Sequence, residues 1–440
     1  MALISMTASH HELDLESLEQ LTRGTHAMGK SIVTDCARIN GSVVLSTCNR
    51  FEVYLDVDLD SSAHSLERPD DKYVEHAVSG VAQLISYAAN VEPARARHAF
   101  TVRTGEDVVT HLFKVASGLD SLVVGEREIA GQVRKSLQSA HADQVTTGSL
   151  ERLFQRALRT SKNIASQTQL SADGRSVVSV ALKLAEPTLP DWGSVSALVV
   201  GTGAYAGATV AALRAHGVRD ISVYSGSGRA EAFADSHQVV PVFELTEGVA
   251  DADLILCCSG TGGRAGKSLI VDDTLGVVPA REEEPHSTVS YVLDAASIVA
   301  ARQARTEQAA GLEGAQRRQV VVDLALHRDA DPRIADMDSV LLIDLSTVRA
   351  NVPDIGEDTV GHAELVLHES VEEYVELEKL RAADVVITRL VESFNQAKTQ
   401  QILELVRDGF TEEDAKVRVN KAVNPEMHKL IMKVRSSFLR

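Results

Sequence analysis

Four polar residues, Thr47, Cys48, Asn49 and Arg50, stand between two strand-like runs, GSVVLS and RFEVYLDV. A thiol beside a guanidinium has chemistry available to it, because a nearby cation favours the thiolate and the thiolate is the nucleophile. A lone cysteine is also often a small buried hydrophobe, so both readings of Cys48 stand at this level. Phe51, Val53, Leu55 and Val57 recur at every second residue, which places them on one face of a strand and Cys48 at the strand's end rather than on its core face.

Further along, residues 111–137 gather His111, Ser121, Glu126 and Gln132 around two glycine-containing bends. A helical histidine serves a structural hydrogen bond as readily as catalysis. A third group follows in Gly201, Thr202, Gly203, Ala204, Tyr205 and Ala206, the GxGxxA form of a dinucleotide-binding turn. Its first glycine permits the tight turn, the second lets the backbone approach a pyrophosphate, and the small last residue lets helix and strand pack closely. The strand after it ends Tyr224-Ser225-Gly226-Ser227-Gly228-Arg229, with no acid to hold a ribose 2′-hydroxyl. Ser225 and Arg229 suit a 2′-phosphate, which favours NADPH over NADH; the alternative is an exposed loop with an ordinary arginine. A thiol, a histidine and a nicotinamide site together suit chemistry at an acyl or aldehyde carbon, since thiolate attack makes a thioester that hydride reduces.

These residues need elements to position them, and 440 residues exceed one ordinary core. The pattern predicts a multidomain α/β protein in three parts. Residues 1–160 mix strands with helices (EDVVTHLFKVA, REIAGQVRKSLQSA, GSLERLFQRALRT) as an α+β catalytic domain. Residues 161–345 carry SALVV, DISVYS, VVPVFEL, ADLILCC, QVVVDLAL and SVLLIDL spaced by helical segments, a parallel Rossmann-type NADP-binding domain. Residues 262–318, polar with an acidic REEEP patch, read as an elaborated surface connection. Residues 346–440 are all-helical: between Gly361 and Gly409 there is no Gly or Pro, and Leu367, Val371, Tyr374, Leu380, Ala383, Ile387, Leu390 and Phe394 form an apolar stripe. Such a stripe needs a second helix, from the same chain or from a twofold partner.

STCNRFEVY, HLFKVASGLDSLVVGE and GQV, in that order before a GxGxxA turn and a helical tail, resemble the glutamyl-tRNA reductases over nearly the whole chain. The resemblance implies the NADPH-dependent first step of five-carbon tetrapyrrole (porphyrin, haem) synthesis, with Cys48 attacking the ester of glutamyl-tRNA(Glu). It implies substrate contacts at Thr47, Cys48, Asn49, Arg50, Ser121, Glu126, Arg127, Glu128 and Gln132, and makes His111 the activity-linked histidine. Arg50 is then expected to grip the substrate's side-chain carboxylate through two hydrogen bonds. Glu128 stands where members commonly have Gln, and Ser225-Gly226-Ser227 where an Asn-Arg-Thr type sequence is common. A homodimer joined through the C-terminal helices is implied, as is a complex with the next enzyme, glutamate-1-semialdehyde aminomutase.

Composition bounds the alternatives. Four cysteines without CxxC spacing argue against a disulfide framework or a metal site, and none is expected. No apolar run approaches the ~18 residues of a membrane helix, and the start, MALISMTASHHELDL, has no secretory pattern, so a cytoplasmic location is expected. A net charge of −18 argues against general nucleic-acid affinity, so tRNA would need a local basic surface. Two are candidates: Arg152, Arg156 and Arg159 at helical spacing, and the tail from Lys416, with seven Lys or Arg against one acid. An NADP-dependent aldehyde or acyl dehydrogenase acting without tRNA is the rival enzyme. A noncatalytic nucleotide-sensing scaffold is the rival class, and it leaves the polar clusters without a purpose.

Overall fold

The computed structural model describes residues 2–9, 11–13, 15–22, 25, 28–47, 49–58, 70–168, 170, 176–202, 204–259, 291–308, 318–325, 328–353 and 355–438. The N-terminal part runs β1 (Ala2–Ser9), α1 (Leu15–Thr22), α2 (Met28–Asp35), β2 (Ile39–Ser46), β3 (Arg50–Val57), α3 (Asp71–Ala89), α4 (Pro93–His98), β4 (Thr101–Thr104), α5 (Glu106–Ala116), α6 (Glu128–Ala142) and α7 (Gly148–Gln167). Its four strands form an antiparallel sheet in the order β2-β3-β1-β4. Phe51, Val53, Leu55 and Val57 face one core with Val78, Val81 and Ile85 of α3, as the alternation predicts. Leu3, Val43, Leu45 and Tyr54 face a second core with Leu112, Phe113 and Phe154. Every residue of β3 is therefore buried. Helices cover both faces, so the polar alternates of β3 are enclosed rather than solvated.

The middle part follows as α8 (Val177–Ala185), β5 (Ser196–Val200), α9 (Ala204–Ala215), β6 (Asp220–Tyr224), α10 (Ala230–His237), β7 (Val240–Val242), α11 (Leu245–Asp251), β8 (Leu254–Cys257), α12 (Ala295–Gln308), β9 (Gln319–Asp323), β10 (Val340–Asp344) and α13 (Leu345–Ala350). Each predicted run is a strand, and all pair in parallel in the order β10-β9-β8-β5-β6-β7. The order reverses between β5 and β8, the switch point where a doubly wound sheet opens a crevice at its carboxyl ends. Of the surface connection expected over 262–318, residues 260–290 and 309–317 lie outside the described residues, and α12 is the part that is described.

One helix, α14 (Glu357–Arg407), spans 51 residues, and α15 (Glu412–Phe438) folds back along it. At 1.5 Å per residue α14 is about 75 Å long, more than one neighbour can cover. Its first turns, Ala363 to Val375, complete the second core of the N-terminal sheet, with Tyr374 edge-on to Phe113 at 5.8 Å. Farther along, α15 is the intrachain partner: Asp384 lies opposite Arg435 and Lys398 opposite Asn424. The arginine triplet on α7 has a different use from the one considered for RNA. Arg152 grips Glu378 through Nε at 2.9 Å and Nη2 at 3.1 Å, and Arg156 pairs with Glu373. Two of its three cations are thus neutralised by α14, because the acids of that helix face α7.

Candidate active site

The β2–β3 hairpin closes at the TCNR stretch. Ser46 pairs with Phe51, and Thr47 N donates to Arg50 O at 2.9 Å. Thr47 Oγ1 donates to Asn49 Oδ1 at 2.9 Å and accepts from Asn49 N at 3.3 Å. Cys48 itself lies outside the described residues. Immediately after the turn, Arg50, Glu52 and Tyr54 alternate along one face of β3, and all three are fully buried. Arg50 Nη1 donates to Glu52 Oε1 at 2.8 Å and to Asp120 Oδ2 at 3.0 Å, and Nη2 donates to the Asp120 carbonyl. His111 Nε2 meets Glu52 Oε1 at 2.9 Å, and Tyr54 donates its hydroxyl to Glu52 Oε2 at 2.7 Å.

A buried charge survives only when paired and hydrogen-bonded. Burial works against the charge on Arg50, but Glu52 and Asp120 more than offset it and hold the guanidinium protonated. Burial would likewise raise Glu52, yet His111 and Arg50 drive it far below the usual carboxylate range. Burial and Glu52 push the Tyr54 phenol well up. Arg50 was expected to hold a substrate carboxylate with two hydrogen bonds. Its two terminal nitrogens are already committed to protein oxygens, and only Nε, buried and without a partner among the described residues, remains. Glu52, Tyr54 and Asp120 are the participants that sequence reasoning missed. The signal available was a polar residue at every second position of a strand.

The GLDSLVVGE segment folds tightly over this network. Gly118 adopts φ +73°, and a Cβ there would stand 2.7 Å from the Glu126 carbonyl, so only glycine fits. Gly125 N donates back to Gly118 O at 2.9 Å. Ser121 and Glu126 are buried, Glu128 and Gln132 are half-buried on the opening turns of α6, and Arg127 is exposed. Burial and the neighbouring Glu128 push Glu126 up to about 7, against a donated hydrogen bond from the Tyr205 hydroxyl at 3.3 Å. Burial also raises Glu128. Tyr205 belongs to the glycine-rich turn, and Val177, which opens α8, also donates a backbone hydrogen bond to Glu126. Glu126 therefore sits where the GLDSLVVGE loop meets the glycine-rich turn of the parallel sheet.

At the other side of that junction, Gly201 has φ +106°, and a Cβ would come within 2.5 Å of Ser259 Cα. Ser259 is held by Asp329, which accepts from its N at 2.7 Å and from its Oγ at 2.6 Å. Thr202 Oγ1 is buried with no partner among the described residues, as a hydroxyl kept for a phosphate oxygen would be. Gly203 and the side chain of Ala204 lie outside the described residues, and Ala206 is buried at the start of α9. At the end of β6, Ser225 Oγ and Ser227 Oγ lie 3.0 Å apart and Arg229 Nε donates to Ser227 Oγ at 3.0 Å, with Ser225 half-buried and Ser227 and Arg229 exposed. A glycine cradle, an orphaned hydroxyl and an exposed hydroxyl–guanidinium cluster at a switch point fit a nicotinamide dinucleotide.

Cys257 is buried among Asp323 and Asp329, and desolvation first, then those acids, raise its thiol well above the ordinary value; Cys36 is raised by burial and Asp35. Neither is an activated thiol. No group of His, Cys, Asp or Glu among the described residues could hold a metal ion.

Residues 6–168 match the family model for the glutamyl-tRNAGlu reductase N-terminal domain. A glutamyl-tRNA reductase of Clavibacter michiganensis is 38% identical over 80% of this chain and 70% of its own length. One of Pseudarthrobacter chlorophenolicus is 35% identical over 89% and 78%. The solved glutamyl-tRNA reductase of Methanopyrus kandleri aligns with all of this chain and 98% of its own, at 22% identity and a TM-score of 0.43, too loose a superposition to argue from. At these identities and coverages, the chain belongs to the glutamyl-tRNA reductase family.

Proposed function

We infer that the chain is an oxidoreductase that reduces glutamyl-tRNA(Glu) to glutamate-1-semialdehyde and releases the tRNA, the entry step of porphyrin biosynthesis. The observation that carries this is the buried Arg50–Glu52–His111 network directly behind TCNR, joined through the Glu126–Tyr205 contact to a dinucleotide turn. The Cys48 thiolate attacks the ester carbonyl; a C–S bond forms, the C–O bond to the terminal ribose breaks, and the ribose oxygen leaves as a hydroxyl after taking a proton. His111, anchored by Glu52, is the group placed to hold or supply that proton. A nicotinamide held at the Gly201–Ala206 turn would supply the hydride that reduces the glutamyl thioester to the aldehyde, with the Cys48 thiolate as the leaving group. Thr47, Asn49, Ser121, Glu128 and Gln132 orient the glutamyl group, and Arg50 Nε and the exposed Arg127 are the cations of the two motifs that receive its carboxylate.

The cofactor is NADPH, because Ser225, Ser227 and Arg229 offer hydroxyls and a cation where an NADH enzyme carries an acid. A homodimer through α14 and α15 accounts for the exposed Val385, Leu403, Val406, Leu430 and Met432 on those helices. The aldehyde passes to the aminomutase in a complex, and the enzyme works in the cytoplasm; no described helix is long and apolar enough to cross a membrane. Incubation with radiolabelled glutamyl-tRNA tests the reading. Semialdehyde with NADPH, and label retained on Cys48 or released as glutamate without it, is expected. Full activity in Cys48→Ser, or reduction of small acyl substrates with none of charged tRNA, would overturn it.

A further inference from the structure

The carboxyl end of β1 lies against the TCNR hairpin, since Ser9 pairs with Arg50. From Ser9 the chain turns at once, with Glu12 N and Leu13 N both donating to Ser9 O at 3.1 and 3.0 Å. His11, inside this turn, brings Nε2 to 3.8 Å from Asp120, the partner of Arg50. Leu13 then forms one wall of a cleft of about 200 Å³, closed by Leu21 and Val91 and rimmed by Ser17, Arg95 and His98. Arg95 Nη2 donates to Ser17 Oγ at 3.3 Å across the rim, and His98 Nδ1 is engaged by the Ala94 carbonyl at 2.7 Å.

The rim's cation in a protein of net charge −18 is Arg95: of the three arginines from Pro93 to Thr104, Arg97 is paired with Glu75 and Arg103 donates to Thr7 Oγ1. Apolar walls offer a surface for the face of one base, a guanidinium serves a phosphate, and Leu13 of the wall follows four residues after Ser9, the strand partner of Arg50. We propose that this cleft between α1 and α4 receives the 3′-terminal nucleotide of the charged tRNA, its base between Leu13, Leu21 and Val91 and its phosphate at Arg95. The proposal rests on the function inferred above. The glutamyl ester is carried by that same terminal ribose, so the base must settle within one sugar of the reacting carbonyl.

Uncharged tRNA(Glu) with 2-aminopurine in place of the terminal adenine is the probe, titrated into the full-length protein. Its emission should change on binding the wild type as the base stacks. Arg95→Ala, which removes the phosphate contact, and Ser17→Trp, which fills the cleft, should each weaken binding about tenfold, the scale of one lost base or phosphate contact. Ser17→Trp should also abolish the emission change. NADPH binding by each variant reports that the rest of the protein is folded, and the exposed Arg95→Glu replaces Ser17→Trp should the latter not fold. Affinity within twofold of wild type in the folded variants, or an undiminished emission change, overturns the proposal. Failure of the wild type to reduce glutamyl-tRNA would instead strike the inferred function.

Discussion

Replacing Glu126 by Gln should abolish one pH dependence of stability while leaving an acceptor for the Tyr205 hydroxyl. Glu126 is 4% exposed, next to Glu128, and its carboxyl is pushed up to about 7 from an ordinary 4.5. The folded protein therefore keeps a proton that the unfolded chain releases between those values. The contribution of Glu126 to stability is complete below pH 4.5, falls across the window, and is lost as pH passes 7. At ~1.4 kcal/mol per pH unit the full span is roughly 3 kcal/mol. Glu126→Gln carries a permanently neutral amide, so it should match the wild type near pH 5 and exceed it by up to about 3 kcal/mol at pH 8.5. Urea denaturation of both proteins at the two pH values measures this, and other titrating groups cancel in the comparison. A difference between the two proteins that is the same at both pH values would refute the burial argument. A variant less stable at pH 8.5 would show that Glu126 is held as a carboxylate by partners stronger than Tyr205.

Three further outcomes follow from the geometry. Glu52→Gln leaves the buried Arg50 with only Asp120 and weakens the anchor of His111; it should cost about 3–5 kcal/mol in urea denaturation and lower kcat, whereas an unchanged midpoint would mean the ion pair is not maintained in solution. Gly201→Ala places a methyl 2.5 Å from Ser259 Cα at φ +106°, so NADPH affinity measured by nucleotide fluorescence should collapse while the N-terminal domain keeps its helical signal. Glu378→Ala removes the acceptor shared by Arg152 and Arg381. It should loosen α14 from α7 at a cost of about 1–3 kcal/mol, read as faster amide exchange over Ala363–Val375.

Local pattern carried much of the architecture. The runs from SALVV to SVLLIDL are all strands because buried parallel strands read as continuous apolar segments. The uninterrupted stripe after Gly361 is one helix, since nothing in it breaks the hydrogen-bond ladder. Strand β1 and the short edge strand β4 were not anticipated. A strand buried on both faces shows little alternation, and a four-residue edge strand offers too short a pattern.

The sequence by itself determined which chemical groups are present and where along the chain they fall: TCNR at a strand end, the glycines of the nucleotide turn, and the absence of an acid after β6. Local periodicity and residue type suffice for these, because they depend on near neighbours. Only the tertiary structure decided what those groups face. Arg50 looked like a cation available to substrate, yet the packing of α5 and the GLDS loop over β3 gives it Glu52 and Asp120 as partners, residues 2 and 70 positions away. Arg152 and Arg156 looked like an RNA-binding stripe until α14, more than 200 residues on, supplied their acids. Charge pairing in a buried site is set by which distant elements pack together, and that long-range contact has no signature in local spacing.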